Sequence, residues 1–123
     1  MTNLANFGFL ALFTMMLAAG QVLFKKIGLS IRQESLVDGL LLAAREPTLY
    51  AALALYGCAT LLWIWILSRV PLSQAYPWVA GGVALVPLLG CWFFGEQIRP
   101  TFWLGVVLII LGIGVTQHSF IGQ

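Results

Sequence analysis

Four apolar runs that contain no Asp, Glu, Lys, Arg or His constrain this chain more than any other feature. The runs are about 17 to 23 residues long and cover residues 4–24, 49–67, 72–94 and 101–117. A helix needs about 20 apolar residues to cross the roughly 30 Å of hydrocarbon in a bilayer. We therefore predict an all-α integral membrane protein in which residues 1–123 form a single domain with four transmembrane helices.

The composition excludes most other classes of protein. Only 8% of the residues are charged, whereas soluble domains average about 25%. The net charge of +2 is small and unclustered, so nucleic acid is not an expected partner. The sequence contains no obvious nucleophile–base–acid set or metal-binding cluster, so we expect no enzymatic activity, no catalytic residue, no cofactor and no metal. Cys58 and Cys91 lie inside apolar runs and are expected to be buried free thiols.

The segment 28–48 is more polar than the four runs. Its charged residues alternate with leucine, valine and isoleucine at roughly helical spacing. This pattern predicts a short amphipathic helix at the membrane interface, and an ordinary solvated loop is the alternative. Five of the six Lys and Arg residues fall on the same side of the bilayer as this segment, so we expect it to be cytoplasmic and both termini to be periplasmic.

Polar residues near the end of the first span are candidates for substrate binding. Gln21 and Lys25 are four residues apart and therefore share one helix face. An amide and an ammonium group together suit a phosphate or sugar hydroxyls. The alternative is that Gln21 bonds a neighbouring helix and Lys25 only extends to the interface. Because no span contains an acid, an anionic headgroup with an apolar tail fits better than a cation.

The third span contains residues that a simple anchor does not need. Pro77 and Pro87 each remove a backbone donor, and the Gly81-Gly82 pair between them makes bending easier. These residues predict a pliable helix that lines a cavity.

Three residues in and just after the third span complete the candidate site. Tyr76 and Trp78, near its start, are expected to be pocket walls or aromatic residues at the membrane interface. Glu96, at its end, is expected to pair with a substrate amine or with Arg99. In the fourth span Gly105, Gly112 and Gly114 suit close helix pairing in lipid, which predicts a dimer formed through that span.

The order and spacing of several short motifs resemble a known family. The motifs are Gly20 followed by Lys25, VPLSQAYPW at the start of the third span, WFFGEQI at its end, and GVVLIILGIGV in the fourth. Together they resemble the small multidrug resistance branch of the drug/metabolite transporter superfamily, whose larger members are the EamA-like carriers. Drug exporters of this branch carry a glutamate where this chain has Leu17. This difference argues against proton-coupled export of cations.

The closest resemblance is to the subunits of aminoarabinose-phosphoundecaprenol flippases. It depends on the segments 19–21, 70–71 and 75–77 with Lys25, Trp63 and Glu96. The resemblance implies a bacterial inner-membrane subunit that translocates a polyprenyl-phosphate-linked sugar by alternating access, as a homodimer or heterodimer with a related four-helix subunit. Its partners would be this lipid-linked anionic substrate and membrane lipids.

In this interpretation Lys25 attracts the phosphate, while Gln21 and Tyr76 bond the phosphate or the sugar. Two other functions remain open at this point. One is export of small organic cations, and the other is a non-transporting accessory role beside a glycosyltransferase.

Overall fold

The computed structural model describes residues 2–120 and contains six helices within that range. They are α1 (Thr2–Ile31), α2 (Leu36–Ala43), α3 (Pro47–Leu67), α4 (Leu72–Val79), α5 (Gly82–Phe94) and α6 (Pro100–His118). Four segments are long and apolar enough to cross a membrane: Leu4–Ile31, Pro47–Leu67, Leu72–Phe94 and Pro100–His118. The predicted all-α fold with four transmembrane helices is confirmed.

The polar segment after the first span differs from the prediction in its extent. Helix α1 continues to Ile31, so residues 28–31 belong to it and not to a loop. Lys25 and Lys26 do not end the helix, because lysine is a good helix former. A separate helix, α2, then begins after Ser35, whose hydroxyl accepts the backbone N–H of Asp38 at 3.3 Å. The helical interpretation of this segment is therefore confirmed, and its position on the membrane surface stays a prediction.

The third span is interrupted between α4 and α5, at Ala80 and Gly81. The backbone N–H of Gly81 donates to Trp78 at 3.0 Å, and that of Val83 donates to Ala80 at 3.0 Å. These bonds span three residues, as in a 3₁₀ turn, so the α-helical pattern is broken here. The glycine pair therefore coincides with a break in the α-helix, and the pliability of the third span stays a prediction.

The core lies where α1 packs against α3, which is the most extensive contact between helices. Leu10 from α1 and Ile66 from α3 are fully buried. Three aromatic pairs run along this antiparallel interface, with ring centroids 4.5 to 5.1 Å apart: Phe9–Trp65, Phe13–Trp63 and Phe24–Tyr56. Because lipid is as apolar as these side chains, close packing is what holds the two helices together.

Helix α6 is attached to the rest of the chain mainly through α4. The Gln117 side-chain amide donates to the backbone oxygen of Gln74 at 2.9 Å, which ties the end of α6 to the start of α4. Cys58 and Cys91 are free thiols, as predicted. Their predicted burial is wrong, because Cys58 lies on the exposed face of α3 and Cys91 is half-buried.

We predict that Ile66→Ala lowers the free energy of unfolding in detergent by about 2 kcal/mol or more, because it leaves a cavity in the packed α1–α3 interface. Ile64→Ala is the matched control, since Ile64 lies on the same helix and is 60% exposed, whereas Ile66 is 1% exposed. Thermal or denaturant unfolding of both variants measures the difference. Equal losses of stability would contradict this description of the core.

Candidate functional site

Three of the predicted site residues meet in one cavity of about 380 Å³. Gln21 and Lys25 contribute from α1, and Glu96 contributes from the turn after α5. The remaining lining is almost entirely apolar: Val22, Val86, Pro87, Gly90, Phe94, Ile98 and Phe102. The cavity therefore combines one small polar cluster with apolar walls.

Lys25 and Glu96 form an ion pair within this cluster. The Lys25 ammonium Nζ lies 3.4 Å from Glu96 Oε2, and the two side chains are 46% and 43% exposed. Glu96 was expected to pair with a substrate amine or with Arg99, and among the described residues the cation it contacts is Lys25. A half-exposed ion pair contributes about 1 kcal/mol or less. Separating Lys25 from Glu96 therefore costs little free energy.

Two glycines place the Glu96 carboxylate. Gly95 has a left-handed backbone, with φ of 64°, and its N–H donates to Cys91 at 3.1 Å, so the chain turns back at the end of α5. The N–H of Glu96 then donates to the backbone oxygen of Gly90 at 3.3 Å. A Cβ at Gly90 would overlap Glu96 Oε1. The absence of that atom allows the carboxylate to lie over the last turn of α5, within reach of Lys25.

Tyr56 of α3 supports the site through Gln21, and this contact was not anticipated from the sequence. Its hydroxyl accepts a hydrogen bond from Gln21 Nε2 at 2.6 Å and donates to the backbone oxygen of Leu17 at 3.3 Å. Gln21 therefore bonds a neighbouring helix, which was the alternative, and also lines the cavity. The available signal was a tyrosine in the middle of an apolar span, since a hydroxyl in that setting requires a partner.

The structure does not bring Tyr76 and Trp78 into this cluster. Tyr76 is 66% exposed and lines a shallow groove with neighbouring residues of α4. Trp78 packs against Phe7, with ring centroids 5.1 Å apart, and borders a different cavity beside Thr14. A part for either residue in substrate binding stays a prediction.

A second cavity of about 400 Å³ adjoins the first along α1. The two cavities share Gln21, Val86 and Pro87. The second one extends past the break in the third span to Thr14. Thr14 and Lys25 are separated by about 16 Å along the helix axis. We refer to these two adjoining cavities between α1 and α5 as the groove, and its length equals about half of the hydrocarbon thickness.

We predict that a zero-length carbodiimide reagent joins Lys25 to Glu96 in the folded protein, because the amine and the carboxylate are already in contact. Peptide mass spectrometry would identify the link. The adjacent Lys26 should give little linkage to Glu96, and Gly90→Ala should reduce the Lys25 link by displacing the carboxylate. Equal yields from the two lysines would contradict the described pair.

Comparison with known proteins agrees with this architecture. The EamA-like transporter family matches residues 3–116. A probable 4-amino-4-deoxy-L-arabinose-phosphoundecaprenol flippase subunit ArnE from Aeromonas hydrophila is 48% identical over 68 residues, which are 55% of this chain and 60% of that protein. The corresponding subunit from Pseudomonas savastanoi is 36% identical over 75 residues, which are 61% of this chain and 66% of that protein.

These alignments cover less than two thirds of either relative's length. No solved structure matches the chain. The family match, in contrast, runs from the first candidate span into the fourth and ends at residue 116. The chain is a multi-pass membrane protein and belongs to the EamA-like transporter family.

Proposed function

We propose that this chain is a subunit of a transporter that moves a polyprenyl-phosphate-linked amino sugar across the bacterial inner membrane. The observation that carries the proposal is the Lys25–Glu96 pair beside Gln21, at one end of a groove with apolar walls. The names of the relatives, which are probable flippase subunits for an aminoarabinose lipid, support the same substrate class. We propose transport and not catalysis.

The ion pair suits a headgroup that carries both charges. A sugar with an amino group, linked to a phosphate, presents one cation and one or more anionic oxygens. When such a headgroup enters, the ammonium of Lys25 pairs with the phosphate and the carboxylate of Glu96 pairs with the amine. Each charge then exchanges one partner for another, so neither is left unpaired. A ligand with only one of the two charges would leave Lys25 or Glu96 without a partner.

The shape of the groove suits the lipid part of the substrate and its movement. The walls beside the ion pair are apolar, so a polyprenyl chain can remain in a hydrocarbon environment while its headgroup is bound. The break between α4 and α5 lies beside the second cavity, at the end of the groove away from Lys25. Interrupted helices in transporters allow one part of the helix to rearrange against the other. We propose that α5 shifts about this break when the headgroup moves inward.

Export of organic cations is less well supported by the site. Glu96 is the acid that lines the cavity, and Lys25 neutralises it. Leu17 stands where a drug exporter would carry its glutamate, and its side chain packs against the hydrophobic core. A cation in this groove would therefore meet a lysine and no free carboxylate among the lining residues.

We propose that the side of the bilayer with five of the six Lys and Arg residues faces the cytoplasm.

The subunit is also proposed to act as a dimer. Along α6, a Cβ at Gly105, Gly112 or Gly114 would meet no atom within 4 Å. Gly114 lies on the opposite side of the helix from Gly105 and Gly112, which are seven residues apart and share one face of α6 that the rest of the described chain does not approach. We propose that a second four-helix subunit, identical or related, packs there.

The headgroup proposal predicts that Lys25→Ala weakens binding of the amino-sugar lipid by about 10- to 100-fold, because a charged hydrogen bond contributes on the order of 1.5–3 kcal/mol. Lys26→Ala is the matched control and should bind normally. Glu96→Gln should weaken binding of the amino-sugar lipid but not of the same lipid with a hydroxyl in place of the amine. Binding to protein in nanodiscs measures each value. Equal affinity of the Lys25→Ala and Lys26→Ala proteins would reject the proposal.

The dimer proposal predicts that Gly112→Leu reduces association, since a leucine side chain prevents close approach at the α6 face. Gly57→Leu is the matched control, because Gly57 is an exposed glycine of α3 that also has no neighbour within 4 Å. Light scattering in detergent measures the oligomeric state. If the Gly112→Leu protein keeps the oligomeric state of the wild type, the dimer interface lies elsewhere.

A further inference from the structure

We propose that Tyr56 is a positioning residue that fixes the side-chain amide of Gln21 and so helps to set specificity for the sugar. In this arrangement Gln21 Nε2 is held by Tyr56, and Gln21 Oε1 is the atom presented to a ligand as a hydrogen-bond acceptor. The inference rests on the proposed function, because it concerns how the same cavity distinguishes headgroups.

The direction of two hydrogen bonds determines how the amide is oriented. A backbone carbonyl can only accept, so the bond between Tyr56 and Leu17, at 3.3 Å, uses the single proton of the phenol. The Tyr56 oxygen must then accept in its 2.6 Å contact with Gln21. Only the NH₂ group of the amide can donate there. The reversed amide would place two acceptor oxygens 2.6 Å apart with no proton between them.

Packing holds the tyrosine ring in this position. The ring lies against Gly20, which is buried, and a Cβ at that residue would overlap the ring. Phe24 stacks on the same ring, with centroids 5.1 Å apart. The hydroxyl therefore stays between Gln21 and Leu17 because Gly20 and Phe24 confine the ring.

The consequence is that Gln21 presents a hydrogen-bond acceptor, its Oε1 atom, to the cavity that also contains the Lys25 ammonium group. Among the described side chains and backbone groups, none donates a hydrogen bond to Gln21 Oε1, and Gln21 lines both adjoining cavities. A sugar hydroxyl or amine can donate to this oxygen, whereas an ionised phosphate cannot. Tyr56 should therefore affect binding of the sugar, while Lys25 affects binding of the phosphate.

The test compares Tyr56→Phe with Tyr50→Phe. Both substitutions remove a phenol hydroxyl from α3, but the Tyr50 hydroxyl bonds the backbone oxygen of Ala44 at 2.7 Å, whereas the Tyr56 hydroxyl bonds Gln21. Two probes are used in nanodiscs: a polyprenyl-phosphate amino sugar and the bare polyprenyl phosphate. We expect Tyr56→Phe to weaken binding of the sugar lipid about three- to tenfold and to change binding of the bare phosphate by less than about twofold. Tyr50→Phe should change neither.

A double-mutant cycle separates positioning from a general loss of structure. If Tyr56 acts through Gln21, then Tyr56→Phe should have no further effect on binding of the sugar lipid in a Gln21→Leu protein. Additive effects of the two substitutions would overturn the inference, as would an equal loss of affinity for both lipids in Tyr56→Phe alone.

The orientation itself can be measured without a ligand. The ¹⁵N-resolved NH₂ signals of the Gln21 side chain should shift in Tyr56→Phe and remain unchanged in Tyr50→Phe, and unchanged signals in both would overturn the assigned hydrogen bond. A wild-type protein that binds neither lipid would overturn the proposed function and the substrate part of this inference together. In that case the NMR signals still decide whether Tyr56 orients Gln21.

Discussion

The packing of α1 against α3 is the interaction on which the rest of the structure depends. In lipid the hydrophobic effect does not favour one helix contact over another, so two spans associate only where their surfaces fit closely. Here the fit comes from aromatic pairs along the antiparallel interface, such as Phe13 stacked on Trp63. Planar rings provide large contact areas with few rotatable bonds. Helix α5 packs on α1 of this pair, and α6 is joined to it mainly through α4.

The same interface holds one side of the candidate site. Tyr56 packs on Gly20 and Phe24 as part of the α1–α3 contact, and its hydroxyl also bonds Gln21. One face of α1 is thus anchored on α3 while the adjacent face, with Gln21 and Lys25, is presented to α5. The proposed substrate-binding face thus lies on a firmly packed helix, opposite a helix that begins at a break. This is the arrangement expected where one wall of a groove moves and the other does not.

The other side of the site depends on contacts between parts of the chain that are distant in sequence. Glu96 reaches Lys25 only because α5 returns beside α1 and because Gly90 and Gly95 permit a tight reversal at its end. The resulting ion pair is weak, since both side chains are about half exposed. A weak, mutually neutralising pair fits the proposed uptake and release of a charged headgroup at this site.

The sequence by itself determined the four spans, the interruption of the third near its glycine pair and the candidate residues Gln21, Lys25 and Glu96, because hydrophobic length, helix-breaking residues and unusual polar groups are local properties. It did not show that α1 continues past Lys25 to Ile31. Apolar length marks where a span ends, and a helix can continue beyond that point when no stop signal follows. Only the tertiary structure decided that Glu96 pairs with Lys25, that Tyr56 bonds Gln21, and that Tyr76 and Trp78 lie apart from them. Those outcomes depend on which helix faces pack together. In a membrane, most faces of a span are similarly apolar, so the pattern of residues along the chain does not specify which face meets which.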